Sequence, residues 1–134
     1  MPKILFAVFL LAHAAIHASY ISPRPPATAG GPAWPFELGR SWLLSPFGLS
    51  ADITRLVGIG LLALLVIGFG IAALATFGIV PMTLWSGAVV VGAVGSIAML
   101  VLFFHPWLVV GVGIDLVLVW AVLVAEWTPA RLGG

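Results

Sequence analysis

The stretch Ile53–Ala75, ITRLVGIGLLALLVIGFGIAALA, decides the fold class. After Arg55 it carries no charged residue, and the next formal charge along the chain is Asp115. A helix rises about 1.5 Å per residue, so about 20 residues cross the roughly 30 Å hydrocarbon core of a bilayer. Three further apolar stretches are long enough to do the same, at about 3–20, 82–104 and 107–127. A backbone in lipid must satisfy its own hydrogen bonds, so each stretch is expected to be helical. The prediction is an all-α, four-transmembrane-helix up-down bundle, one integral membrane domain over 1–134, multi-pass in the cell membrane.

Composition agrees with this. Of 134 residues 63% are apolar and 7% charged, and mean hydropathy is +1.27. A soluble domain would be about a quarter charged. A water-soluble globule, a disordered tail and a nucleic-acid binder are thereby excluded, the last for want of a basic face. There is no cysteine, hence no disulfide, thiolate metal site or thiol catalysis.

Physical markers set the span boundaries. Pro81 and Pro106 suit first helical turns, where a missing N–H is harmless. Ser50 or Asp52 can cap the second helix, and Asp52 also suits its positive end. Thr128 and Pro129 are expected to stop the fourth. Trp85, Trp107 and Trp127 fall at span ends, where amphipathic rings prefer to lie. Lys3, the apolar run after it and the small residues Ala18 and Ser19 also fit a secretory signal peptide; a retained first span is the expectation carried forward.

Residues 76–81 and the pair His105-Pro106 are tight connections that force antiparallel neighbours. The segment 21–52 differs, with six of the ten prolines, four glycines and Trp34, Phe36, Trp42 and Phe47. Its first part should be irregular or polyproline-like. ELGRSWLLSPF, 37–47, is predicted to form a short interfacial helix, and the whole segment to cover the helix ends, with Trp34 or Trp42 as anchor. Ala88, Gly92 and Ser96 form a small-residue stripe expected to serve close packing, as do Gly68 and Ala72. Orientation is finely balanced. Arg24, Arg40 and Arg55 on the loop side outnumber Lys3 and Arg131, but the MPK start favours an N-terminus inside, the orientation expected here.

Ionisable groups inside a span are costly and need a reason. His13 and His17 are four apart, on one helix face. Asp115 reaches a similar depth from the same side. Two imidazoles and a carboxylate with open positions would suit zinc or non-haem iron, so His13, His17 and Asp115 are candidate metal ligands. Haem is a second possibility, with His13 or His17 paired to His105 across the bundle, or a single axial histidine. A third is a proton relay, since Asp115 and Glu126 are about three turns apart. The plainest alternative is a structural Arg55–Asp115 or His–Asp115 pair that locks the helices. No catalytic residue is assigned. Ser41, Ser45, Ser86 and Ser96 have no histidine and carboxylate near them in sequence.

KILFAVFLLAHAAIHASY, with its His13-Ala-Ala-Ile-His17 pattern, resembles the opening of a group of small bacterial four-span membrane proteins. Their second span is similar to the stretch from Arg55, and their last two to SIAMLVLFFHPWLVVGVGIDLVLVW from Ser96. More loosely, the chain resembles the DoxX-like four-helix membrane fold. The likeness covers most of the chain except the Pro-rich segment. It implies a four-helix bundle and functional weight on His13, His17 and Asp115, and it carries no activity with it.

Three functions remain open on sequence. The first expectation is an accessory or binding subunit of a larger membrane complex, which the Pro- and Trp-rich segment and the low polarity suit; its partners would be the lipid bilayer and other membrane protein subunits or itself. The second is a redox, metal- or haem-binding membrane protein built on His13, His17 and Asp115, with His105. The third is a small membrane enzyme or transporter, the weakest because polar groups are so few.

Overall fold

The computed structural model of the protein describes residues 1–22, 25–26, 29–31 and 34–133. Arg24, one of the charges weighed for orientation, lies outside them. Regular structure among the described residues is entirely helical. Four helices dominate: α1, Pro2–Ala18; α2, Ala51–Thr76; α3, Trp85–Leu102; and α4, Val109–Leu123. With their adjoining 3-10 turns, all four are long and apolar enough to cross a membrane.

Local chemistry fixes the ends. Ser50, in extended conformation, begins α2 and accepts the Ile53 amide on its hydroxyl. The helix closes in a Schellman motif: Gly78 is left-handed (φ 77°) and donates to Ala75, and Ile79 donates to Leu74. A 3-10 turn at Met82–Leu84 leads into α3, and another at Pro106–Leu108 into α4.

α1 packs on α2, α2 on α3, and α3 on α4. The α2–α3 seam is the closest. A Cβ on Gly68 would lie 2.6 Å from the Gly92 nitrogen and 2.9 Å from the Ala88 oxygen. A Cβ on Gly92 would strike the ring of buried Phe69 at 2.9 Å. The small-residue stripe thus serves packing within the bundle, where backbones can approach only if side chains are missing.

Each end of the bundle has an aromatic cluster. At the end holding both termini, Phe6 meets Trp127 edge-on at 4.9 Å, and Trp127 meets buried Trp85 at 5.6 Å. This contact explains a departure from expectation. The fourth helix does not run to 127 but ends at Leu123. The chain turns at Glu126 (φ 48°), and a 3-10 turn at Pro129–Gly133 packs on α1. Burial of Trp127 against Phe6 and Trp85 outweighs continuation of the helix. Glu126 therefore leaves the helical stripe of Asp115, and the expected relay between the two loses its basis.

At the other end residues 34–47 close over the bundle. Buried Leu38 rests against Gly58 and Phe103, and Tyr20 donates to the Phe103 carbonyl at 3.4 Å. The expected 37–47 helix does not form. Residues 42–44 make a turn and Ser45–Phe47 a single 3-10 turn. The reason is a competing use of its polar groups. Ser41 donates to the Leu102 carbonyl at 2.5 Å and accepts the Leu43 and Leu44 amides, while the Trp42 indole donates to the Val101 carbonyl at 2.6 Å. These bonds satisfy carbonyls freed at the end of α3.

Candidate metal centre

Polar side chains from three helices meet inside the apolar bundle. α1 contributes His13 and His17, one turn apart, both buried. α3 contributes Ser96 and α4 contributes Asp115, both with no solvent exposure. His13 Nε2 lies 2.9 Å from Asp115 Oδ1. The Ser96 hydroxyl donates to Asp115 Oδ2 at 2.5 Å, and Ser96 Oγ lies 2.8 Å from His17 Nε2. One ligating atom each from His13, His17 and Asp115 falls within 4.8 Å of the others.

Proton bookkeeping fixes one donor. Ser96 has one proton and gives it to Asp115, so its oxygen can only accept from His17. Hence His17 carries a proton on Nε2. His17 Nδ1 is buried and without a hydrogen-bond partner. The His13 ring is held by stacking on Phe9 and by edge contacts to Phe69 and His17, at 5.2 and 4.9 Å.

The other candidates lie elsewhere. The expected Arg55–Asp115 pair does not form. Arg55 is exposed in the first turn of α2, lining a shallow cavity with Tyr20 and Glu37, while both Asp115 oxygens are taken by His13 and Ser96. Arg55 stands in the first turn of α2, whereas Asp115 lies mid-way along α4. His105 is also apart. Its Nδ1 accepts the Trp107 amide at 3.3 Å and caps the turn before α4, so it is no axial partner for His13 or His17.

Ser96 is the residue that sequence reasoning placed in a packing stripe and set aside as a nucleophile. A signal for it existed. Ser96 and Asp115 are equally far from the His105-Pro106 connection. In antiparallel helices joined there, they must share one depth.

Beside the cluster, between α1 and α4, lies a cavity of about 160 Å³ lined by His13, His17, Ile16, Leu100, Trp107 and Ile114 among others. A larger apolar cleft of about 580 Å³ continues along the same two helices past Phe6, Phe9, Gly113 and Val117.

The chain matches no family model, no curated protein and no solved structure.

Proposed function

We propose that this is an integral membrane protein that holds a divalent transition-metal ion, zinc or ferrous iron, between α1 and α4. The observation that carries the proposal is the convergence of two imidazole nitrogens and one carboxylate within 4.8 Å in an otherwise apolar interior. Around a tetrahedral ion with ligands at roughly 2.0–2.1 Å, donors stand about 3.3 Å apart. Ring movements of about an ångström would contract the cluster to that size. His13 Nε2, His17 Nε2 and one Asp115 oxygen are the ligands, and Ser96 holds the second carboxylate oxygen, orienting it as outer partners of metal ligands do. The N₂O donor set leaves at least one coordination position for water or substrate, as in reactive rather than purely structural sites.

Support for the accessory-subunit alternative is limited to the exposed apolar faces of the four helices, which lipid chains cover equally well.

Cobalt(II) tests the metal proposal, because its visible absorption reports coordination. Metal-stripped protein in detergent should take up a single equivalent of Co²⁺ with d–d bands that added Zn²⁺ displaces. Asp115→Asn should abolish the bands. If the wild type takes up no Co²⁺, and Asp115→Asn changes only thermal stability, the cluster is a structural network and the proposal falls.

A further inference from the structure

A cavity of about 230 Å³ lies at the end of the bundle covered by residues 34–47, and it shares no lining residue with the cavity at His13 and His17. It is bordered by Tyr20 and Ser22 after α1, by Phe36 and Glu37, and by Arg55 in the first turn of α2. Glu37 and Arg55 are the charged residues of its lining, opposite in sign and both exposed. They border one cavity without pairing, for among the described residues the one ion pair is His13–Asp115. Glu37 Oε1 accepts the Gly39 amide at 2.9 Å, which holds the carboxylate in place and leaves it capacity for further donors. The cavity sits where the apolar helix Pro2–Ile21 ends and Ala51–Thr76 begins, the level at which lipid head groups lie. Next to it are exposed apolar side chains. Leu56 follows Arg55 directly, and Ile59 stands one turn further along the face of α2 that carries Arg55.

We infer that this cavity binds the head group of a zwitterionic phospholipid with a primary ammonium, its phosphate on Arg55, its ammonium on Glu37 and its chains over Leu56 and Ile59. A guanidinium fork matches a phosphate, and Ser22 adds a hydroxyl donor to the same lining. A lipid with a net negative head would satisfy Arg55 but leave Glu37 facing a like charge or a neutral group. A choline head carries methyl groups on its nitrogen and has no N–H for a carboxylate. An ethanolamine head does, and its ethylene link is short enough for one cavity to hold both charges. A small soluble zwitterion could meet the same two residues, but it would leave the apolar face below Arg55 uncovered. Continuity of the polar cavity with that face commits the site to a lipid. The site uses none of His13, His17, Ser96 or Asp115, so it stands whether or not a metal is bound.

The test uses full-length protein in nanodiscs made of equal parts dioleoyl phosphatidylethanolamine, phosphatidylcholine and phosphatidylglycerol, with retained lipid read by native mass spectrometry. The wild type should retain the ethanolamine lipid about fivefold over the choline lipid, the size of one exposed charge-assisted contact. Glu37→Gln keeps an acceptor for the Gly39 amide and removes only the charge, so it should bring the ethanolamine and choline lipids level. Arg55→Gln should lower retention of all the phospholipids. Both side chains are exposed, so neither change disturbs the core. The inference is overturned if the wild type retains ethanolamine and choline lipids equally, if it retains the glycerol lipid most, or if Glu37→Gln leaves the preference unchanged. Soluble glycerophosphoethanolamine is the final arm. Weak competition supports a lipid site, whereas competition as strong as that of the whole lipid would assign the cavity to a water-soluble zwitterion and overturn the inference. Co²⁺ uptake, read on the same variants, should match the wild type, which tells a failure here from a failure of the metal proposal.

Discussion

The seam between α2 and α3 and the seam between α1 and α4 are built on opposite principles. At α2–α3 the backbones touch through Gly68 and Gly92, and Phe69 fills the remaining space. At α1–α4 the helices stand apart, bridged by His13–Asp115, with an apolar cleft between them and Phe6–Trp127 tying α1 to the chain beyond α4. In lipid there is no hydrophobic drive between helices, so association rests on close packing and on hydrogen bonds. This molecule uses the first at one seam and the second at the other. Close packing leaves no room for a ligand. Hydrogen bonding across a gap leaves both room and exchangeable polar atoms, which is why the candidate chemistry lies at the looser seam.

The contrast can be broken most forcefully at Gly68. Gly68→Val should cost about 3 kcal/mol or more, because the new atoms meet Gly92 and Ala88 backbone rather than a flexible side chain. Unfolding in mixed detergent micelles, followed by circular dichroism, measures it; a loss under about 1 kcal/mol would show that the seam is not fixed by contact. Next in size is Asp115→Leu, which strands His13 Nε2 and the Ser96 hydroxyl in an apolar interior. A loss of about 2 kcal/mol is expected, together with all Co²⁺ uptake. Retained Co²⁺ binding would remove Asp115 from the metal centre.

Ser96→Ala should cost less, about 1 kcal/mol, in line with hydrogen bonds between membrane helices. It sharpens the comparison through coupling. In the Asp115→Leu background the same change should cost much less, since the two residues share one network. Strict additivity would mean that the network is not a unit. The smallest effect is expected at Gly113→Ala. Its Cβ enters open cleft, so stability should stay within about 0.5 kcal/mol or rise slightly through improved helix propensity. A penalty comparable to that at Gly68 would mean that α1 and α4 close more tightly than the structure shows.

Much of the bundle was legible because apolar run length and short connections act locally. The run from Leu56 to Ala75, without charge, has one stable form in lipid, and the His105-Pro106 turn sets α4 antiparallel beside α3. The 37–47 segment was misjudged because Ser41 and Trp42 bond to carbonyls of Val101 and Leu102, some sixty residues away. The end of α4 was misplaced for a similar reason, since the partners of Trp127 lie on other parts of the chain. His13 and His17 declared a shared face by their spacing. Of the two partners expected for Asp115, a histidine is the one found, His13, while Arg55 is exposed in the first turn of α2.

By itself the sequence determined the number of helices long and apolar enough to cross a membrane, their antiparallel order and the common depth of His13, His17 and Asp115. Each follows from the fixed rise and period of a helix and from the cost of exposing backbone to lipid. Only the tertiary structure decided that Ser96 links Asp115 to His17, that His17 Nδ1 has no partner, and that α1 and α4 stand apart. These depend on the rotation of each helix about its axis and on the order of packing. Both are set by a few close contacts, Gly68 on Gly92 above all, between residues distant in the chain.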